Sequence, residues 1–503
     1  MDLFANLATG FAVALTPANL GFCLLGALIG TLVGVLPGIA PITTIAILLP
    51  FTFTLPPASS LIMLAGIFYG AQYGGSTTAI LVNVPGESSA IVTCLDGHQM
   101  AKQGRAGPAL AIAAIASFVA GTLATVVIAT ASVPMTWLAL KFNAPEYFSL
   151  MVLGLTGAVV LAHGAPEKAV AMVLVGLLLG LVGIDVNSGA PRMTMDLAGL
   201  ADGIGFVPIA IGMFGIAELA VTLGKPQDRS LLTVKFSNLW PTRADIRACV
   251  PSILRGTAIG SILGVLPGGG AALSSFAAYA LEKKVSSTPE RFGRGAIEGV
   301  AAPEAANNAG AQTSFIPLLT LGIPGNAIMA LMVGALMIQG IQPGPQVMIS
   351  QPQLFWGVIA SMWLGNLMLV VLNLPLVGLW VSLLRVPYRI MFPAIVLFCC
   401  IGTYTVSNTV FDIWTMLLFG ILGVFFYKVG AEPAPFVLGF VLGPLMEENF
   451  RRAMYLSRGN PWVFFDFIER PISAGLLLCA AALLVILVLP AVRSKREEVF
   501  QEE

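Results

Sequence analysis

The sequence predicts an all-α polytopic membrane protein with about ten to twelve membrane segments, arranged as two inverted repeats with Pro-Gly-broken helices or re-entrant hairpins. Three observations carry that prediction: an apolar composition, a recurring glycine-proline motif, and a reversal of loop charge. Of 503 residues, 57% are hydrophobic and 10% charged, whereas a soluble domain carries about 25% charged residues. Such a chain lacks the polar surface to cover itself in water. In hydrocarbon the excess is expected.

A spanning helix needs about 20 mostly apolar residues. Runs at 108–133, 146–163, 167–184, 204–224, 352–372, 391–410, 411–428 and 472–491 meet that need. The stretches 20–100 and 255–340 are equally apolar but interrupted by Gly and Pro. The polar stretches 225–255, 283–297, 447–470 and the tail from Arg493 read as loops. The N-terminal MDLFANLATG lacks the basic segment that opens a cleaved signal.

The repeat rests on ordered anchors. Gly26-Ala-Leu-Ile-Gly30-Thr-Leu-Val-Gly34-Val-Leu-Pro37-Gly38 matches Gly256-Thr-Ala-Ile-Gly260-Ser-Ile-Leu-Gly264-Val-Leu-Pro267-Gly268 at eight of 13 positions. Gly70-Ala71-Gln72 then matches Gly310-Ala311-Gln312, hydroxyl clusters follow in both, and Pro85-Gly86 matches Pro324-Gly325. Residues 1–224 therefore form the first half, with its motif core at about 20–105. Residues 225–255 read as a cytoplasmic linker. Residues 256–503 form the second half, with its core at about 256–345 and C-terminal helices beyond.

Cytoplasmic loops are enriched in Lys and Arg. The loop near Pro50–Ser60 is uncharged, while its counterpart carries Lys283, Lys284, Arg291 and Arg294. Lys102 and Arg105 close the first core, and its counterpart near Gln339–Gln351 has no charge. Opposite character at equivalent loops predicts halves inserted upside down relative to each other.

Several function classes fall away. Formal charge is zero, so nucleic acid is not an expected partner. The two histidines and six cysteines form no CxxC pair or HExxH, and neither GxSxG nor a P-loop occurs. No catalytic residue, structural metal or cofactor is expected.

The glycines at i, i+4 and i+8 lie on one helix face, where the plain reading is close helix packing. The Pro-Gly that ends each run stops a helix inside the membrane. Broken backbone at that depth is tolerated in protein or beside a wet cavity. Its freed N–H groups can hold an anion and its freed carbonyls a cation. The candidate substrate and ion site therefore comprises Pro37, Gly38, Pro85, Gly86, Pro267, Gly268, Pro324 and Gly325, with Ser76, Thr77, Thr78, Asn83, Ser274, Ser275, Thr313, Ser314 and Asn326 beside them. Each hydroxyl or amide could instead serve its own backbone.

Glu304 and Asn308 sit at i, i+4 in the polar run from Glu298 and complete the candidates. Intramembrane carboxyls are costly and mark function; a helix start at the interface, with Glu near its positive end, is the equal alternative. His98 reads as a surface or interface residue. Asp185, Asp202 and Glu218 are further acids in or near apolar runs.

These residues resemble one family, the large membrane subunit of tripartite tricarboxylate transporters. The resemblance rests on Gly34-Val-Leu-Pro-Gly38, Gly74-Gly75-Ser76-Thr77-Thr78 with Asn83-Val-Pro-Gly86, Leu95-Asp96-Gly97 followed by Gln103-Gly-Arg105-Ala, and Glu298 through Asn308. It implies a bacterial inner-membrane protein that works with a small membrane subunit and a periplasmic solute-binding protein. It also implies uptake of di- or tricarboxylates such as citrate, by symport with an ion, Na⁺ being the expected one. A channel-type permease for small anions could use the same broken helices and stays the alternative. An intramembrane enzyme is a weaker third reading.

Overall fold

The computed structural model describes residues 3–36, 40–162, 165–185, 187–223, 239–266, 270–376, 378–380 and 388–488. These are almost entirely helical; the β structure among them is one antiparallel pair, Gly183–Ile184 against Pro191–Arg192. Among the described residues, seven helices are long and apolar enough to cross a membrane: Pro17–Val35, Ala106–Ala139, Ala144–Leu161, Phe206–Leu223, Arg243–Val265, Pro352–Asn373 and Val410–Lys428. Shorter apolar helices stand beside them, among them Pro41–Thr52 and Ala327–Ile338. The chain is a multi-pass membrane protein.

Proline sets many of the starts. Pro17, Pro41, Pro57, Pro145, Pro166, Pro352 and Pro433 occupy first-turn positions, where no intrahelical donor is lost and φ is already helical. Asn143 with Glu146, and Thr242 with Asp245, add capping boxes. Outward faces remain apolar: Trp414, Leu418, Ile421 and Phe425 project from Val410–Lys428, as a lipid-facing helix requires.

Two helix pairs form the centre. Pro17–Val35 packs on Pro57–Val82, and Arg243–Val265 packs on Glu298–Thr313. The glycine stripes explain both contacts. A Cβ on Gly26, Gly30 or Gly34 would stand 2.3 Å from the carbonyl oxygens of Met63, Ile67 and Ala71 respectively. A Cβ on Gly256 or Gly260 would stand 2.3 Å from the Ala302 or Ala306 oxygen, and one on Gly264 would stand 2.4 Å from that of Gly310. Only glycine lets backbone meet backbone this closely. Ala106–Ala139 lies against Glu298–Thr313, Arg243–Val265 and Pro57–Val82, and Pro352–Asn373 lies against Ala106–Ala139 and the first pair.

Each of the eight apolar runs coincides with a helix, but two stretches read as loops are corrected. The described part of 225–255 is helical from Arg243, the start of Arg243–Val265. Residues 447–456 likewise continue the helix Pro433–Leu456. In the second stretch Glu447 and Arg451 are ion-paired. Arg451 Nη2 lies 2.6 Å from Glu447 Oε1, one turn away, and Arg451 Nη1 lies 3.2 Å from Asp185 Oδ2. Arg192 Nη1 donates to both Glu447 oxygens at 2.8 and 3.0 Å. Asp185 also accepts from the Ser188 hydroxyl at 2.6 Å. That hydroxyl first, with the Asn187 N–H and Arg451 in support, holds its carboxyl at about 2.

Candidate functional site

The helix Pro57–Val82 ends at Asn83, whose φ of 59° is left-handed. The helix Phe315–Leu321 ends at Gly322, φ 75°. Both residues stand two positions before a Pro-Gly, in Asn83-Val84-Pro85-Gly86 and Gly322-Ile323-Pro324-Gly325. Asn and Gly are the residues that tolerate this conformation. Asn83 thus acts through its backbone, and its side chain is exposed. Beyond the second break, Asn326 Oδ1 accepts from the Met329 N–H at 2.9 Å and caps Ala327–Ile338. The first breaks of each half, Pro37-Gly38 and Pro267-Gly268, lie outside the described residues.

The predicted hydroxyls divide. Ser274 donates to the Gly270 oxygen at 2.7 Å, Ser275 to Ala272 at 2.8 Å and Ser314 to Ala311 at 2.6 Å. Thr313 donates to Ala309 at 2.9 Å and Thr78 to Gly75 at 3.0 Å. These five serve their own helices, although a hydroxyl oxygen so used still has lone pairs for a ligand. Thr77 instead lines a cavity of about 10 Å³ shared with Tyr73, Ser76, Ser117 and Asn373, the room that one water needs.

Ser76, Glu304 and Asn308 come together. Glu304 is fully buried in the helix Glu298–Thr313. Its Oε2 lies 2.6 Å from Ser76 Oγ, and its Oε1 accepts from Thr93. Asn308 Nδ2 donates to Ser117 Oγ at 2.7 Å. Residues from Pro57–Val82, the short helix Ile91–Thr93 and Ala106–Ala139 therefore gather around Glu304 and Asn308. The two readings of the polar run separate along its length. Glu298, at the helix start, pairs with Arg291 at 3.5 Å, while Glu304 is the buried acid.

A second group adjoins the first. Gln72 Nε2 donates to Glu87 Oε2 at 2.8 Å, and Ser89 Oγ lies 2.9 Å from Gln72 Oε1 and contacts Glu87 Oε1. Glu87 faces both Glu304 and Asn307. Both side-chain polar atoms of Asn307 lack hydrogen-bond partners, as do Asn308 Oδ1, Gln312 Nε2 and the Tyr73 hydroxyl. Native interiors leave few such atoms. Among the described residues, no group of His, Cys, Asp and Glu is arranged to hold a metal ion.

Sequence reasoning missed Gln72, Glu87, Ser89, Thr93, Ser117 and Asn307. Gln72 stood out only as a repeat anchor. Glu87, directly after Pro85-Gly86, carried the clearest overlooked signal. Asp96, outside the candidate site, proves to be a buried anchor for the 293–296 turn: its Oδ1 accepts from the N–H groups of Gly293, Gly295 and Ala296 at 2.9, 2.7 and 2.8 Å, and its Oδ2 from the Tyr279 hydroxyl at 2.9 Å. The surface reading of His98 is corrected. It is buried, with Nδ1 3.1 Å from the Ile80 oxygen. Glu218 lies at the start of Pro41–Thr52, accepting from the Ala40 N–H at 3.2 Å and contacting Thr43.

Residues 20–438 match the tripartite tricarboxylate transporter TctA family. A protein of Agrobacterium vitis described as an uncharacterized 52.8 kDa protein in the TAR-I ttuC' 3' region is 58% identical over 503 residues, covering all of both chains. Another from that organism, described as an uncharacterized protein in the TAR-II ttuC' 3' region, is 60% identical over 244 residues, which is 48% of this chain and all of that protein. No solved structure matches the chain. With the family matched across most of its length and its motifs lining the buried cluster, the chain belongs to the tripartite tricarboxylate transporter TctA family.

Proposed function

We propose that this chain is the membrane-spanning transport subunit of a binding-protein-dependent secondary transporter in the bacterial inner membrane. It takes up di- or tricarboxylates of the citrate kind by cation symport with alternating access, and it performs no covalent chemistry. Na⁺ is the cation the family resemblance implies. A periplasmic binding protein delivers the solute, and a small membrane subunit completes the assembly.

The observation that carries this reading is the buried cluster at Glu304, where two glycine-packed helix pairs meet around unpartnered amides. An anion is costly to bring into a low dielectric unless donors replace its water. Gln312 Nε2 is free to donate, Asn307 beside Glu87 can turn its amide to a ligand, and backbone N–H groups at the Pro-Gly breaks can add to them. A cation bound nearby offsets the remaining charge. Alternating access follows if the pairs rock about this cluster, in the opposed orientation that the loop charges support.

The assembly reconstituted in proteoliposomes tests the function. A Na⁺ gradient should drive labelled citrate inward, and unlabelled citrate on the far side should accelerate exchange. Flux that never shows counterflow identifies a channel instead. Topology is tested by single cysteines in a background without native ones. Ser59 is buried against Asn19, so exposed Thr54 is the better outer site and exposed Ser287 the inner one. An impermeant reagent outside spheroplasts should label the first alone; equal labelling overturns the inverted arrangement.

A further inference from the structure

The ring of hydrogen-bond contacts around Glu87 is completed by a proton on its carboxyl. Three contacts close a ring: Gln72 to Glu87, Gln72 to Ser89, and Ser89 to Glu87. Each needs one hydrogen. The Gln72 amide contributes one, through its nitrogen, and the Ser89 hydroxyl contributes one. Turning the amide end for end changes which contact lacks a hydrogen but not the shortfall. A proton on the Glu87 carboxyl supplies the third.

The same count applies at Glu304. Ser76 Oγ lies 2.6 Å from Glu304 Oε2 and 3.0 Å from the Gln72 carbonyl oxygen. A carbonyl brings no hydrogen, and Ser76 has one for two lines. Both contacts are made when Glu304 donates to Ser76 and Ser76 donates onward to Gln72. Tyr73, Cys94 and Glu87 are the titratable side chains that face Glu304. Among the described residues, neither carboxyl forms a pair with Lys, Arg or His. Two facing carboxylates without a cation would be costly. Glu218 shows a related contact, since Thr43 also reaches the Phe214 oxygen at 2.8 Å. There the Ala40 N–H and the helix start favour a charged acceptor, so Glu218 is left out.

The geometry points to Glu87 and Glu304 as a pair of proton-binding sites of the transport cycle, both loaded in this conformation. Each carboxylate takes one proton from water and returns it to water after the cluster has faced the other side. The order of events follows from charge. An anionic cargo entering beside Asn307 would be repelled by two carboxylates, and their protons remove that repulsion. This coupling rests on the transporter reading above; the protonation itself does not.

Infrared spectra of the full chain in lipid nanodiscs test the protonation directly. Wild type should show a carboxylic-acid carbonyl band at neutral pH that is lost on alkaline titration, and E87Q and E304Q should each lose part of it. Both amides repeat the donor and acceptor pattern, so the variants should fold. Variants indistinguishable from wild type at neutral pH overturn the proposal. In the reconstituted assembly, a dye inside the vesicles should report acidification with citrate uptake, abolished in E304Q. A protonated pair with no proton movement overturns the coupling alone, and absence of any citrate uptake by wild type overturns the transporter reading instead.

Discussion

The two Pro-Gly breaks beyond the glycine-packed pairs share a backbone and differ in everything around it. Each follows a left-handed residue, Asn83 or Gly322. At the first, a Cβ on Gly86 would stand 2.1 Å from the Gly34 oxygen and 2.6 Å from the Gly75 Cα. At the second, the nearest atoms to a Cβ on Gly325 are 3.9 Å away. The residue that follows is Glu87 in one and Asn326 in the other; Glu87 is bound to Gln72 and Ser89, while Asn326 caps a helix. Equivalent Gln72 and Gln312 diverge too, since Gln312 Nε2 has no partner. The first break is clamped and carries an acid, and the second is roomy and followed by a helix cap.

That contrast can be broken most forcefully at Gly86. G86A must displace backbone of two helices, and overpacking of this kind costs about 1–3 kcal/mol or more. It should lower the melting temperature and abolish uptake, whereas G325A should leave both near wild type. Equal damage from the two would remove the distinction. G30A and G260A follow. Each methyl would meet a carbonyl 2.3 Å away, so both should destabilise by a similar amount in thermal melts, as equivalent positions must. A large inequality would argue against the two pairs being alike. N326A should then cost about 1 kcal/mol through loss of a helix cap, while N83A should lose stability that N83G regains, since Asn83 is needed for its backbone.

The smallest effect lies outside the membrane at Asp185. A carboxyl held at about 2, below its ordinary 3.8, contributes stability that is complete above 3.8 and is lost as pH falls through 2. D185N should flatten the acid limb of a melting-temperature profile and leave the neutral range unchanged in slope.

Much of the fold was legible because its causes are local. Apolar runs of spanning length became helices, and glycines at four-residue spacing became the close contacts that such spacing implies. The loop reading of 447–456 failed because its charges are satisfied by Arg192 and Asp185, some 260 residues earlier in the chain. Glu304 stood out in the polar run from Glu298, and its burial could not be told from the interfacial alternative until the helix was placed. Ser274, Ser275 and Ser314 look the same in sequence as Ser76, and all four reach a carbonyl of their own helix; Ser76 differs in also meeting a carboxyl, Glu304, which is decided by what lies opposite. Thr93 and Ser117 are single hydroxyls in apolar runs, and only tertiary packing brings them to Glu304 and Asn308. Glu87 was passed over because attention rested on the Pro-Gly before it.

The central claim is that a carboxylate binds where the two helix pairs meet. Thr77 lines a cavity beside Ser76, the residue that meets Glu304, so T77C places a reporter next to that spot. In the reconstituted assembly without native cysteines, the rate at which a small thiol reagent modifies T77C should fall when a transported di- or tricarboxylate is added with the driving cation. It should be unchanged by the cation with a monocarboxylate that is not transported. A T77C rate indifferent to every carboxylate, in protein that still transports them, would place the site elsewhere.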